Sequence, residues 1–134
     1  MVVNFAGKYK LSNSENFEQY MKAMGVGAAL RKTAALMSPT CEIDQNGDDF
    51  VIKMNVPIIT THVQKFRIGE PFEDISPTRD KVMVTVHWEG DKLVFNDVEK
   101  SDPPHYVTRE ISGDEMYVKC VKGDVVCTRT FKRI

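Results

Sequence analysis

The chain has 134 residues, 42% of them hydrophobic and 28% charged, and its 18 basic and 19 acidic residues leave a formal net charge of -1. These values are typical of one globular domain spanning residues 1–134 and exclude a disordered, fibrous or membrane-spanning chain. Because the charge is balanced, no overall field attracts a polyanion, so we expect no nucleic-acid partner. We further expect a monomer.

The first predicted element is a helix whose N-cap oxygen comes from Ser12 or Ser14. Apolar side chains recur at i, i+3, i+4 and i+7 and give this helix one apolar face: Phe17, Tyr20, Met21 and Met24. Gly25 ends the helix. A second short helix is predicted over residues 28–36, and Pro39 prevents its continuation. The two helices form a hairpin.

After the helices, short apolar segments alternate with turn residues, a pattern that indicates consecutive β-hairpins. The predicted strands span residues 41–44, 50–56, 63–68, 82–88, 93–98, 106–111, 116–121 and 125–132. Closure of an antiparallel sheet removes its exposed edges, so we predict an all-β up-and-down barrel with a two-helix cap. A β-sandwich is the alternative fold.

The cysteines and histidines indicate a reduced protein without a metal centre. The chain has three cysteines, Cys41, Cys120 and Cys127, and they lack a Cys-x-x-Cys spacing. We therefore expect no metal and no cofactor. The first ten residues contain no apolar run of signal-peptide length, so we expect a cytoplasmic location. The histidines lie on three segments without a nucleophile arrangement and are interpreted as solvated surface residues: His62, His87 and His105.

Two arginines stand out because strand alternation turns them inward. Arg129 shares a strand face with Cys127 and Phe131, and Arg109 shares one with Val107. A buried guanidinium keeps its charge and needs a partner. Interior acidic residues or edge positions would explain both arginines, but no inward acid is evident on these two strands. Two guanidinium groups would then match one bound carboxylate.

The last predicted hairpin turns at residues 123–124, which places Lys122 opposite Val125 and Cys120 opposite Cys127. A disulfide, a redox or catalytic thiol, and two free buried thiols are the possible interpretations. A hydrogen-bonded strand pair suits a disulfide poorly, and a reducing compartment opposes it. We therefore interpret both cysteines as free wall residues.

Three stretches of the sequence resemble the intracellular fatty-acid-binding protein family. They are FAGKYKLSNSENFEQYMKAMGVG at residues 5–27, REISGDEM at residues 109–116 and GDVVCTRTF at residues 123–131. The resemblance covers nearly the whole chain. It implies a ten-stranded barrel capped by two helices, with an internal cavity that holds a long-chain fatty acid without chemical change.

The resemblance also implies roles for individual residues. Arg109 and Arg129 match the two arginines that hold the ligand carboxylate in the family. Position 131 is Phe where the family pattern has Tyr, so that hydroxyl donor is absent, and Cys120 and Cys127 are expected near the same headgroup. A lid over an apolar cavity turns its apolar side inward, so the first helix is expected to line the portal with four side chains: Phe17, Tyr20, Met21 and Met24.

A fatty-acid carrier is the leading hypothesis, and three alternatives stay open. A retinoic-acid carrier of the same fold would also present a carboxylate to paired arginines, whereas neutral retinol would leave them without countercharge. An enzyme using Cys120, such as a lipid isomerase or peroxide scavenger, lacks a paired base. An interaction module would make transient contact with membranes, or enter the nucleus, through a basic patch formed by Lys22, Arg31 and Lys32. Ordinary solvated charge on the helix surface also explains these three residues.

Overall fold

Ten antiparallel strands form one sheet in the computed structural model, which describes residues 3–134. The strands are β1 (Gly7–Glu15), β2 (Thr40–Asn46), β3 (Asp49–Val56), β4 (Thr60–Arg67), β5 (Phe72–Ile75), β6 (Lys81–Glu89), β7 (Lys92–Asp97), β8 (His105–Ser112), β9 (Glu115–Lys122) and β10 (Val125–Arg133). Two helices, α1 (Phe17–Ala23) and α2 (Ala28–Ala35), follow β1. The predicted all-β architecture with a two-helix cap is confirmed.

Pairing of the first strand with the last makes the sheet a nearly closed barrel. Strands that follow one another in the chain pair from β1 to β2, β3 and β4 and from β5 through to β10, and β1 also pairs with β10. In the described part of the chain, β4 and β5 are the two edges and share no backbone ladder. Side chains must therefore provide the link across this gap.

The start of the first helix differs from the sequence prediction. Ser12 and Ser14 lie in β1, and Asn16 precedes α1 with a left-handed φ of 62° and no side-chain cap hydrogen bond. The predicted N-cap is wrong because Leu11, Asn13 and Ser14 pair with β10 as a strand, and Ser12 lies at the irregular position between them. Periodicity also missed β1 and the four-residue β5, although the family resemblance implied ten strands.

Aromatic rings fill one end of the barrel. Phe50 and Phe66 stack with ring centroids 5.2 Å apart, and Phe66 meets Phe95 edge-on at 5.5 Å. Trp88 packs beside Phe50 at 6.2 Å. Phe50, Phe66 and Trp88 lie near the strand ends away from the helices, whereas Phe95 lines the open space that is left beneath α1 and α2.

Met1 and Val2, the first residues of the segment assessed for a leader peptide, lie outside the described residues. Within residues 3–134, every helix is too short or too polar to cross a bilayer.

Candidate functional site

A cavity of about 320 Å³ lies between the helices and the barrel wall. Apolar side chains form most of the wall, and the apolar face of α1 contributes four of them: Phe17, Tyr20, Met21 and Met24. Small-molecule sites span roughly 300–1,000 Å³. The cavity can therefore hold a small apolar ligand, with α1 as part of its cover.

Arg109 in β8 and Arg129 in β10 occupy one row of the sheet, because both pair with Val118 of the intervening β9. Two interstrand spacings of about 4.8 Å place their Cα atoms about 10 Å apart. Both side chains face the cavity, as strand alternation predicted, and they are 6% and 8% exposed. Their long side chains can converge on one small group.

No salt bridge within residues 3–134 involves either arginine. Nε and Nη1 of Arg109 and Nε of Arg129 are buried without a hydrogen-bond partner in this part of the chain. The guanidinium carbon of Arg129 lies 3.7 Å from the ring centroid of Phe17. Burial lowers the pKa of Arg129, yet an arginine in a protein stays protonated. The pair therefore presents uncompensated positive charge to the cavity.

Phe131 and Cys120 form the wall next to Arg129. The Phe131 ring centroid lies 5.9 Å from the Arg129 guanidinium carbon. Cys120 pairs with Cys127 and Lys122 pairs with Val125, so the predicted hairpin register is confirmed, and all three cysteines are free thiols. Cys127 is fully buried and lies outside the cavity wall. The pKa of the Cys127 thiol is raised, chiefly by hydrogen bonding with Cys120 and next by burial.

Cys41 of β2 is a neighbour of the arginine pair that sequence reasoning left without a role. Its side chain is buried beside Arg109. Burial raises the pKa of the Cys41 thiol, and the nearby Arg109 guanidinium partly opposes that rise. The thiol therefore stays neutral and offers Arg109 no counter-ion.

Two of the three histidines face the cavity, which corrects their interpretation as surface residues. His62 and His105 are half-buried and line the wall, whereas His87 is exposed. A signal for this placement was present in the sequence, because each lies an even number of residues from an inward side chain of its own strand. Phe66 supplies that reference in β4 and Arg109 in β8.

Asp74 of β5 provides the link across the gap to β4. Its Oδ1 lies 2.7 Å from Nε2 of His62, and its Oδ2 accepts a hydrogen bond from Nε2 of Gln64 at 2.8 Å. The amide of Ile75 donates to Oδ1. Burial acts to raise the pKa of Asp74, but these hydrogen bonds outweigh burial and hold the pKa below its usual value of 3.8. The ionised carboxylate therefore stabilises the barrel at its open edge.

We expect Asp74→Asn to lower the free energy of unfolding by about 1–2 kcal/mol at neutral pH, because hydrogen bonds to a charged group contribute about 1.5–3 kcal/mol and Asn retains a part. The pKa of Asp74 is lower in the folded than in the unfolded state. The stability that its carboxylate contributes is therefore complete above the unfolded pKa of 3.8 and is lost as the pH falls through the folded pKa.

Urea titrations of both proteins, from neutral pH down through the range of carboxyl groups, measure the effect. The exposed Asp44 of β2 supplies the control, since Asp44→Asn removes a carboxylate outside the gap. If the difference in unfolding free energy between Asp74→Asn and wild type stays constant at acid pH, the ionised Asp74 carboxylate does not link β4 and β5.

The basic residues of the helical cap do not act as one group. Lys22 and Lys32 are exposed, but Arg31 is half-buried and donates from Nη1 to the carbonyl oxygen of Val26 at 2.7 Å. Arg31 therefore fastens the loop between the helices, and the exposed charge of the predicted patch comes from the two lysines.

Comparison with known proteins gives consistent matches over nearly the full chain. The model of the lipocalin / cytosolic fatty-acid binding protein family matches residues 6–134. Cellular retinoic acid-binding protein 1 of Gallus gallus is 40% identical over 135 residues, which cover 97% of this chain and 98% of that protein. Sodium/calcium exchanger regulatory protein 1 of Doryteuthis pealeii is 37% identical, covering 100% of this chain and 99% of that protein. Among solved structures, the REP1-NXSQ fatty acid transporter has a TM-score of 0.89 at 36% identity, covering 96% of this chain and 95% of that chain.

Proposed function

Because the chain belongs to the lipocalin / cytosolic fatty-acid binding protein family, we propose that it is a cytoplasmic carrier of long-chain fatty acids. The carboxylate binds between Arg109 and Arg129, and the tail lies against the apolar wall. The observation that carries this proposal is the pair of buried guanidinium groups without an acidic partner. The ligand is bound and released without chemical change, so the protein acts as a carrier and not as an enzyme.

The charge and the apolar wall make separate contributions to binding. A guanidinium fork can form two parallel hydrogen bonds with one carboxylate, which fixes the position of the headgroup. Burial of about 15 methylene groups at about 0.8 kcal/mol each supplies on the order of 12 kcal/mol for the tail. Association costs of at least about 4 kcal/mol reduce this total. The remainder, at most about 8 kcal/mol, corresponds to a dissociation constant near 1 μM, and the hydrogen bonds of the headgroup lower it toward the nanomolar range.

Retinoic acid is a second candidate ligand, favoured by the similarity to the Gallus gallus retinoic acid-binding protein. Its carboxylate would use the same two arginines. Displacement of a fluorescent fatty acid by oleate and by retinoic acid, measured side by side, ranks the two ligands. A clear preference for retinoic acid would replace the fatty-acid assignment.

The substitution Phe131→Tyr is expected to tighten oleate binding, because it restores a hydroxyl donor beside Arg129. A charge-assisted hydrogen bond contributes about 1.5–3 kcal/mol at most. Displacement of an ordered water takes back part of it. We expect a net gain of about 1 kcal/mol, or a several-fold lower dissociation constant, measured by titration calorimetry.

Oleyl alcohol is the matched control ligand, since its neutral headgroup forms a weaker hydrogen bond with the new hydroxyl and should gain less. Unchanged or weaker oleate binding by Phe131→Tyr would place the carboxylate away from residue 131.

A further inference from the structure

Arg129 packs against an aromatic ring of the helical cap. Its guanidinium carbon lies over the ring of Phe17, the first residue of α1, at 3.7 Å from the ring centroid. A guanidinium turned edge-on at this separation would bring nitrogens within about 3 Å of the ring, closer than the optimal contact of about 3.5 Å. The two planes therefore stack face to face.

The stack leaves the hydrogen-bonding groups of Arg129 to a ligand. The N–H groups of a guanidinium point outward in its plane, whereas the Phe17 ring covers its face. Arg31 and Arg133, by contrast, already donate from Nη1 to backbone carbonyl oxygens. Arg129 is thus placed by contact with a ring that uses none of its donors.

Strand pairing and a turn of the chain bring Phe17 over Arg129. Ser14 of β1 is paired with Arg129 of β10, and Asn16 then turns the chain with its left-handed φ of 62°. The side chain of Asn16 donates from Nδ2 to the carbonyl oxygen of Val126 at 3.2 Å. The start of α1 is therefore fastened to the strand that carries Arg129.

A second contact fixes α1 one turn further along. The Tyr20 hydroxyl lies 2.7 Å from Nε2 of His105 in β8. A hydroxyl can donate to a ring nitrogen or accept from it, so this contact forms in either protonation state of His105. Phe17 and Tyr20 are three residues apart and share one side of the helix. The two contacts join α1 to β10 and β8, the strands of the arginine pair, and hold the Phe17 ring in place.

We propose that Phe17 is a positioning residue of the carboxylate site, which holds the Arg129 guanidinium in place for the ligand headgroup. This inference rests on the proposed function, because it takes Arg129 as part of the carboxylate site. Ordering a long side chain when a ligand binds lowers the affinity, and a guanidinium that is already held avoids that loss. The Phe131 ring lies further away, with its centroid 5.9 Å from the guanidinium carbon. The lid helix therefore takes part in charge recognition in addition to covering the tail.

The affinity for oleate divided by the affinity for oleyl alcohol tests the inference on the full chain. Phe17→Leu keeps an apolar side chain over the cavity but removes the ring face, so it should lower this ratio about fivefold through loss of the cation–π contact. Phe17→Tyr keeps the ring face and should retain most of the wild-type ratio. Titration calorimetry with each ligand measures the affinities.

Two further variants separate the positioning role from a general effect of the lid. Met24→Leu is the matched control, because Met24 also lines the cavity from α1, about two turns beyond Phe17. It should change both affinities alike and leave the ratio unchanged. In a protein that already carries Arg129→Met, Phe17→Leu should no longer alter the ratio, because the ring has no guanidinium left to hold.

Three results would overturn the positioning role and leave the carrier function intact. They are an unchanged ratio in Phe17→Leu, an equal fall in Phe17→Tyr or Met24→Leu, and a fall that persists when Arg129→Met is present. The last of these would mean that Phe17 acts on the ligand directly. Failure of wild type to bind oleate would overturn the proposed function and this inference together.

Discussion

Replacement of Arg129 by methionine is expected to weaken oleate binding at least about 30-fold. Truncating one partner of a buried, hydrogen-bonded charge pair costs about 2–5 kcal/mol, because the other charge is left without its partner. Methionine has a similar length and fills the space beside Phe17 without opening a large cavity. Arg109→Met should have a comparable effect, since both arginines flank the same position of β9. Titration calorimetry measures both.

Two controls separate charge recognition from a general effect on the cavity. Oleyl alcohol carries the same tail without the charge, so its affinity should be unchanged or higher in both variants. Arg67→Met removes a positive charge from a side chain that is 52% exposed and paired at the surface, and it should leave oleate binding unchanged. Equal weakening of the acid and the alcohol by Arg129→Met would show that Arg129 supports the wall and does not hold a carboxylate.

Arg109→Met is expected to stabilise the ligand-free protein by about 1–3 kcal/mol, because replacement of buried charged groups by apolar side chains of similar size can stabilise a protein by about 1–4 kcal/mol. Arg109 has two buried nitrogens without a partner and lies 5.5 Å from the Phe95 ring centroid, whereas Arg129 has one such nitrogen and lies closer, 3.7 Å, to the Phe17 ring centroid. Arg129→Met should therefore give a smaller gain, since it leaves fewer unpartnered nitrogens to remove and loses the closer cation–π contact. Urea titration of the delipidated proteins measures both changes.

Ligand should offset the stability gain of Arg109→Met. A ligand at 100 times its dissociation constant stabilises the folded protein by about 2.7 kcal/mol, whereas a variant that binds about 30-fold more weakly gains about 0.9 kcal/mol at the same concentration. Oleate at this concentration is therefore expected to stabilise wild type by about 2 kcal/mol more than it stabilises Arg109→Met. A ligand-free Arg109→Met protein that is less stable than wild type would contradict an uncompensated charge at this position.

Local alternation was sufficient to predict much of the fold and part of the site. Arg109 and Arg129 each share a strand face with apolar side chains two residues away, so their inward orientation follows from a period of two. The pairing of Cys120 with Cys127 follows from the turn between β9 and β10 in the same way. The apolar face of α1 follows from a period of 3.6.

The sequence by itself thus determined the strand faces, the last hairpin and the apolar side of the lid, because each depends on neighbours a few residues away. Only the tertiary structure decided the remaining features. Ser14 lies in a strand because it pairs with Arg129 of β10, more than a hundred positions away, and Ser12 lies at the bulge of the same ladder, where its hydroxyl donates to the carbonyl oxygen of Thr130. His62 and Asp74 meet across the gap between β4 and β5, where no backbone ladder sets a register. Tyr20 reaches His105 because α1 folds over the barrel mouth, a contact between distant segments that no local period encodes.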